Sequence, residues 1–225
     1  MFLRTAWLVF RKDVTIEVRS RETIATTMFF ALSCMLVFAF ALVKEGRVVA
    51  DAAAGILWIA IAFSGTLALG RTFERERYTD TLRALMLAPA DRPAIYLGKL
   101  LGVLALILAA ELVVVPLVAL LFDAALLQEP LMLVLLLLTG TLGFAAVGTL
   151  FSAMLVRARS RDVLLPVLLY PITIPVIIAG VRGTAALAAP APDLPMAQFW
   201  LALLAFFDTV FITLALWTFE PLMTD

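Results

Sequence analysis

Six apolar runs, each long enough to cross a bilayer, recur along the chain at residues 23–43, 52–70, 100–122, 131–156, 163–181 and 198–219. A helix rises about 1.5 Å per residue, so about 20 apolar residues cover the roughly 30 Å of membrane hydrocarbon. The first 22 residues follow another pattern. Leu3, Trp7, Phe10, Val14 and Val18 recur at helical spacing, with Arg4, Arg11, Lys12, Glu17 and Arg21 mostly off that stripe. This predicts an amphipathic helix over residues 1–22, lying along the membrane interface with Trp7 and Phe10 at headgroup level. Its role is either anchoring alone or, as an elbow, passing force from a partner on the same side. The expected fold is therefore an all-α integral membrane protein, an interfacial helix followed by a six-span domain over residues 23–225.

Charge orients these runs. By the boundaries above, none of the 17 Lys and Arg residues falls inside a run. Fourteen flank alternate ends: Arg4, Arg11, Lys12, Arg19 and Arg21; then Arg71, Arg75, Arg77, Arg83, Arg92 and Lys99; then Arg157, Arg159 and Arg161. The remaining connections hold only Lys44, Arg47 and Arg182. Cytoplasmic connections keep the positive charge, so both termini are expected inside. The small-x-small triplet Ala39-Phe40-Ala41 resembles a leader cleavage site, but the apolar run before it exceeds the 7–15 residues of a leader core, and a retained first span is expected.

Composition removes several function classes. At 64% apolar residues, little chain is left for a soluble domain, and a net charge of zero gives no reason to expect nucleic acid as a partner. There is no histidine, which takes away the commonest general base and metal or haem ligand. The single cysteine, Cys34, allows neither an internal disulfide nor a cysteine metal site. The phosphate-gripping loop G-x-x-x-x-G-K-[ST] is missing as well: Leu100 follows Gly98-Lys99, and Pro93 stands where the first glycine belongs. The chain is expected to be no enzyme by itself, to bind no cofactor or metal, and to draw energy from a partner or an ion gradient.

Within the runs, several residues break the apolar pattern. Glu111 and Asp208 each lie ten or eleven residues into a run, near the bilayer centre, where a charge costs at least a few kcal/mol. They are expected to be protonated, bonded to hydroxyls such as Thr139, Thr149 or Thr209, or to line a wet substrate or proton path. The fourth run carries Thr141, Ala145, Thr149 and Ala153 at intervals of four, with Gly140, Gly143, Gly148 and Ser152 nearby. Small residues let helix backbones approach closely, so this predicts a packing seam, within the bundle or with a second copy. Pro166, Pro171 and Pro175 predict a kinked or broken fifth span, with Pro171 and Pro175 as candidate gate residues. The apolar stretch after it, 183–197, is expected to dip back into the bundle.

The longest polar connection, 71–99, is the candidate docking element. Arg71, Glu74, Arg75, Glu76 and Asp80 give mixed charges at helical spacing, which favours a charged helix projecting into the cytoplasm for a soluble subunit. The plainer alternative is a solvated membrane-flanking face.

An ordered set of segments resembles the CcmB (haem exporter protein B) family. They are 19–22 (RSRE), 55–58 (GILW), the charged connection running into 85–89 (LMLAP), 95–99 (IYLGK), 111–113 (ELV), 143–152 (GFAAVGTLFS), 163–166 (VLLP) and 171–175 (PITIP). Asp80 stands where that family commonly has a glycine. The resemblance implies an ABC exporter-type permease of a bacterial inner membrane. A separate ATPase, CcmA, would dock on the 71–99 coupling element, and ATP would be bound there and not by this chain. It further implies a homodimer working with CcmC, CcmD and the haem chaperone CcmE in cytochrome c maturation. Haem is then either a substrate that crosses, or cargo whose loaded chaperone is released by the power stroke. The other readings are a permease for another lipid or drug, a proton-coupled secondary transporter using Glu111 and Asp208, and a passive assembly factor.

Overall fold

The computed structural model describes residues 2–44, 47–48, 52–78, 91–156, 158 and 160–222, with 43–44, 47–48, 71–78 and 220–222 described by backbone alone. Seven helices account for nearly all of it: α1 (Phe2–Ser20), α2 (Glu22–Ala41), α3 (Ala53–Tyr78), α4 (Arg92–Leu121), α5 (Pro130–Met154), α6 (Arg161–Ala188) and α7 (Leu194–Leu222). Between α2 and α3 a short ladder pairs β1 (Val43–Lys44) with β2 (Arg47–Val48), antiparallel. Helices α2 to α7 are the six long enough and apolar enough to cross a membrane. The all-helical, six-span expectation holds.

The helix starts follow local chemistry. Pro93 and Pro130 occupy the first positions of α4 and α5, where a missing N–H is no loss. Asp193 starts α7, its Oδ1 accepting from the backbone N–H of Met196 at 3.0 Å. At the α1–α2 corner Arg21 turns the chain with a left-handed φ of 53°, and Glu17 reaches across so that its Oε1 accepts from the N–H of Ile24 at 2.9 Å. That carboxylate serves one of the free donors in the first turn of α2, where the helix dipole also favours negative charge.

Helix α5 is the centre, packing on α3, α4, α6 and α7, while α2 lies at the edge against α3 and α4. The seam between α3 and α5 alternates large against small. Trp58 of α3 fills the space in front of Gly140, Phe144 of α5 fills that in front of Gly65, and Leu69 of α3 fills that in front of Gly148. The Trp58 ring also covers Gly180 of α6, and its Nε1 donates to Thr184 Oγ1 at 3.0 Å. The small-residue stripe of the fourth run is thus a seam inside the bundle.

Three expectations change. Of a kinked or broken fifth span the break is absent, and the helix is longer than 163–181. α6 is one helix through Pro166, Pro171 and Pro175, and it extends past 181 to Ala188. The 183–197 stretch does not dip back as a loop: α6 and α7 absorb most of it, leaving 189–193 as the connection. The third span starts at Arg92 and not at residue 100, so Lys99 lies inside a membrane-length helix. Sequence hydropathy cut the helix short at Lys99 because a lone charge ends an apolar window, and a distant partner for that charge leaves no local trace.

Candidate functional site

Two buried cations bracket the charged connection. On the incoming side, α3 continues for eight residues beyond its apolar span, Arg71 to Tyr78, about 12 Å of helix. This places Arg71, Glu74, Arg75 and Glu76 on a helical stalk; Asp80 lies outside the described residues. At the root of the stalk Arg161, 4% exposed at the start of α6, donates from Nη2 to the carbonyls of Leu69 at 3.1 Å and Gly70 at 3.2 Å. On the outgoing side Lys99, 2% exposed, pairs its Nζ with Asp13 Oδ2 at 2.8 Å. The 71–99 connection expected from sequence is therefore shorter: its ends belong to α3 and α4, and 79–90 lies outside the described residues.

Asp13 belongs to α1. The predicted stripe is present, but it faces away from the bundle: Leu3, Trp7 and Val18 are exposed and Phe10 is half-buried. The face that docks is Ala6, Val9, Asp13 and Glu17, three buried and Asp13 mostly so. α1 packs mainly on α4, far more than on α2, its neighbour in sequence. Gly98 makes this approach feasible: a Cβ there would sit 2.6 Å from the Ala6 carbonyl oxygen and 2.7 Å from Val9 Cβ. Gly102, one turn on, faces Asp13, whose Cβ would lie 3.5 Å from a Cβ at 102. Sequence reasoning missed this face because two small or medium residues and two acids do not form an apolar stripe. The spacing 6, 9, 13, 17 was its only signal.

The two mid-membrane acids are not brought together. Glu111 of α4 accepts from Thr141 Oγ1 of α5, a hydroxyl not among the three anticipated. Thr139 and Thr209 instead turn back on the carbonyls of their own helices. Asp208 of α7 lies against Gly143 of α5, its Oδ1 only 2.5 Å from where a Cβ at 143 would be. Thr141 and Gly143 are two residues apart, about 200° around the α5 axis, so the acids occupy opposite sides of that helix. A single polar path lined by both is not what the geometry offers. Glu111 also lines a cavity of about 490 Å³ between α4 and α5, otherwise walled by apolar residues such as Leu112, Pro116 and Leu137.

Pro171 and Pro175 lie in the continuous α6, with Thr173 between them buried and bonded to the Leu169 carbonyl at 2.9 Å. That hydroxyl occupies an acceptor in a stretch where prolines withdraw donors. Of the seam residues, Gly140, Gly143 and Gly148 face Trp58, Asp208 and Leu69, and Ser152 is fully buried. Among the described residues no group of three or more His, Cys, Asp or Glu side chains could hold a metal ion.

This arrangement defines a multi-pass helical membrane protein with buried cations at the charged end of α3 and the start of α4. The family model described as CcmB protein matches residues 4–221, and the chain belongs to that family. It is similar to heme exporter protein B of Escherichia coli (strain K12), 34% identical over 96 residues, covering 43% of this chain and 44% of that relative. The match thus spans under half the length of that relative. Longer matches are to heme exporter protein B of Haemophilus influenzae, 28% identical over 170 residues and 76% of each chain, and of Rhodobacter capsulatus, 29% identical over 194 residues, 80% of this chain and 84% of the relative.

Proposed function

We propose that this chain is the membrane subunit of an ATP-binding-cassette transporter acting in haem delivery for cytochrome c maturation, and that it hydrolyses nothing itself. The observation that carries this reading is the α3 stalk, a charged helix beyond the span whose root is tied by Arg161, while Lys99 ties the helix on which the connection ends. A solvated flanking loop needs no such bracing; a lever pushed by a soluble motor does. The names of the relatives supply the cargo class. Fourteen of the 17 cations lie before the first span or in the second and fourth connections, which favours a cytoplasmic stalk and cytoplasmic termini in a bacterial inner membrane. The partner reading is a CcmA-type ATPase on the stalk, with two copies of this chain and CcmC, CcmD and CcmE completing the assembly.

Of the two mechanisms, release of the loaded chaperone is favoured over passage of haem through one copy. Trp58, Phe144 and Leu69 fill the α3–α5 seam at three successive levels, and Glu111 and Asp208 face away from each other. The test is copurification from native membranes of the chain with Glu74→Lys and Glu76→Lys. An ATPase subunit bound to the wild type and lost from the reversed stalk supports the reading. An ATPase retained by both forms, or absent from both, sinks it.

A further inference from the structure

The ion pair between Asp13 and Lys99 has no evident part in holding a substrate, yet it ties α1 to a lysine that is only 2% exposed. We propose that Asp13 and Lys99 are positioning residues that make α1 and the first turns of α4 one rigid body. Force applied to the surface helix, or to the connection that leads into α4, then enters the bundle through α4 and not through the α1–α2 corner. Three independent observations converge on this. Lys99 is 2% exposed and held at 2.8 Å by Asp13. Gly98 allows the α1 backbone to come within contact of α4, at Ala6 and Val9. And α1 packs more extensively on α4 than on α2.

The chemistry explains why a charge pair was used. An interfacial helix held only by apolar contacts is free to slide, because the same residues find equivalent contacts with lipid. A buried ammonium is different: separating it from its carboxylate gives up a close ion pair in an apolar surrounding, which is disfavoured. The pair therefore fixes register, and Gly98 fixes distance.

The mechanical consequence rests on the function proposed above, but the contact itself is tested apart from it. In a Cys34→Ser background, Asp13→Cys with Gly102→Cys places two Cβ atoms about 3.5 Å apart, within the range of a disulfide of about 3.5–4.5 Å. Lys99→Met in the same chain removes the stranded charge. Mild oxidation of native membranes is expected to close this bridge in most molecules; failure to close overturns the contact. The second arm expresses variants in cells lacking their own copy and reads haem-stained c-type cytochrome against the amount of chain in the membrane. Asp13→Lys or Lys99→Asp alone is expected to lower the yield per chain at least about tenfold, and the two together to restore it to within about threefold. The oxidised bridge is expected to leave the yield unchanged. Loss of yield on bridging would show that α1 must slide along α4, and equal yields from the singles and the wild type would show that the pair positions nothing. A wild-type chain that fails to restore cytochromes overturns the function proposed above, and the bridging arm then decides the contact.

Discussion

At the α1 face the bundle buries Lys99 and Arg161; halfway across it buries Glu111 and Asp208. The cations are tied to other elements, Lys99 to a carboxylate of the surface helix and Arg161 to two carbonyls at the root of the α3 stalk. The acids have far less: Glu111 accepts from one hydroxyl, and Asp208 fits a notch left by a glycine. Near the membrane surface, a helix from outside the bundle and a polar side chain at a helix start are at hand to neutralise a charge. At mid-depth most backbone groups are already used by their own helix, and small hydroxyls are the main donors left for a carboxyl. The first pair can therefore stay charged and brace; the second is suited to neutral hydrogen bonding.

The sharpest way to break this contrast is to strand a cation. Asp13→Ala is expected to destabilise the folded chain by about 3–5 kcal/mol, seen as a large drop in thermal unfolding temperature in detergent. A drop no larger than that of a surface substitution would mean that Asp13 is not what holds Lys99 in place. Next comes Arg161→Met, which removes the two bonds to Leu69 and Gly70 and is expected to cost about 1.5–3 kcal/mol. Its effect should be concentrated in faster amide exchange at the stalk root, and uniform exchange would deny Arg161 a bracing role.

The acids give smaller numbers. Gly143→Ala forces Asp208 aside and is expected to cost about 1–3 kcal/mol; a simultaneous Asp208→Ala should recover most of that, which a double-mutant cycle reads directly. Smallest are Glu111→Gln and Asp208→Asn, each expected to change stability by less than about 1 kcal/mol and to leave c-type cytochrome yield intact. The Gln carbonyl still accepts from Thr141, and neither change alters shape much. Loss of yield in both amides would revive the proton-coupled transporter.

Six spans, the first helix and the seam on α5 were legible because each writes a local signature: a run, a stripe or a repeat of small residues. Residues 71–78 were readable as helix for the same reason. The ends of α4, α6 and α7 were not, since hydropathy stops at Lys99, at Arg182 and after Pro195, whereas a helix continues wherever its backbone and charges find partners. Charge spacing drew attention to the acids of residues 71–78. Lys99 and Arg161 were counted only as loop charge and Asp13 was passed over, because what makes each of them special is another segment 86 to 92 residues away.

Trp58 carries one more lesson. Its ring closes over Gly140 on one neighbouring helix and Gly180 on another, and its nitrogen is answered by Thr184. Three helices are thus keyed to a single indole, so none of these four positions can drift alone: a bulkier residue at either glycine evicts the ring, and a smaller one at 58 leaves a void that both helices must close. Variation here is expected to arrive in sets, and a related chain lacking the tryptophan should have filled both gaps at once.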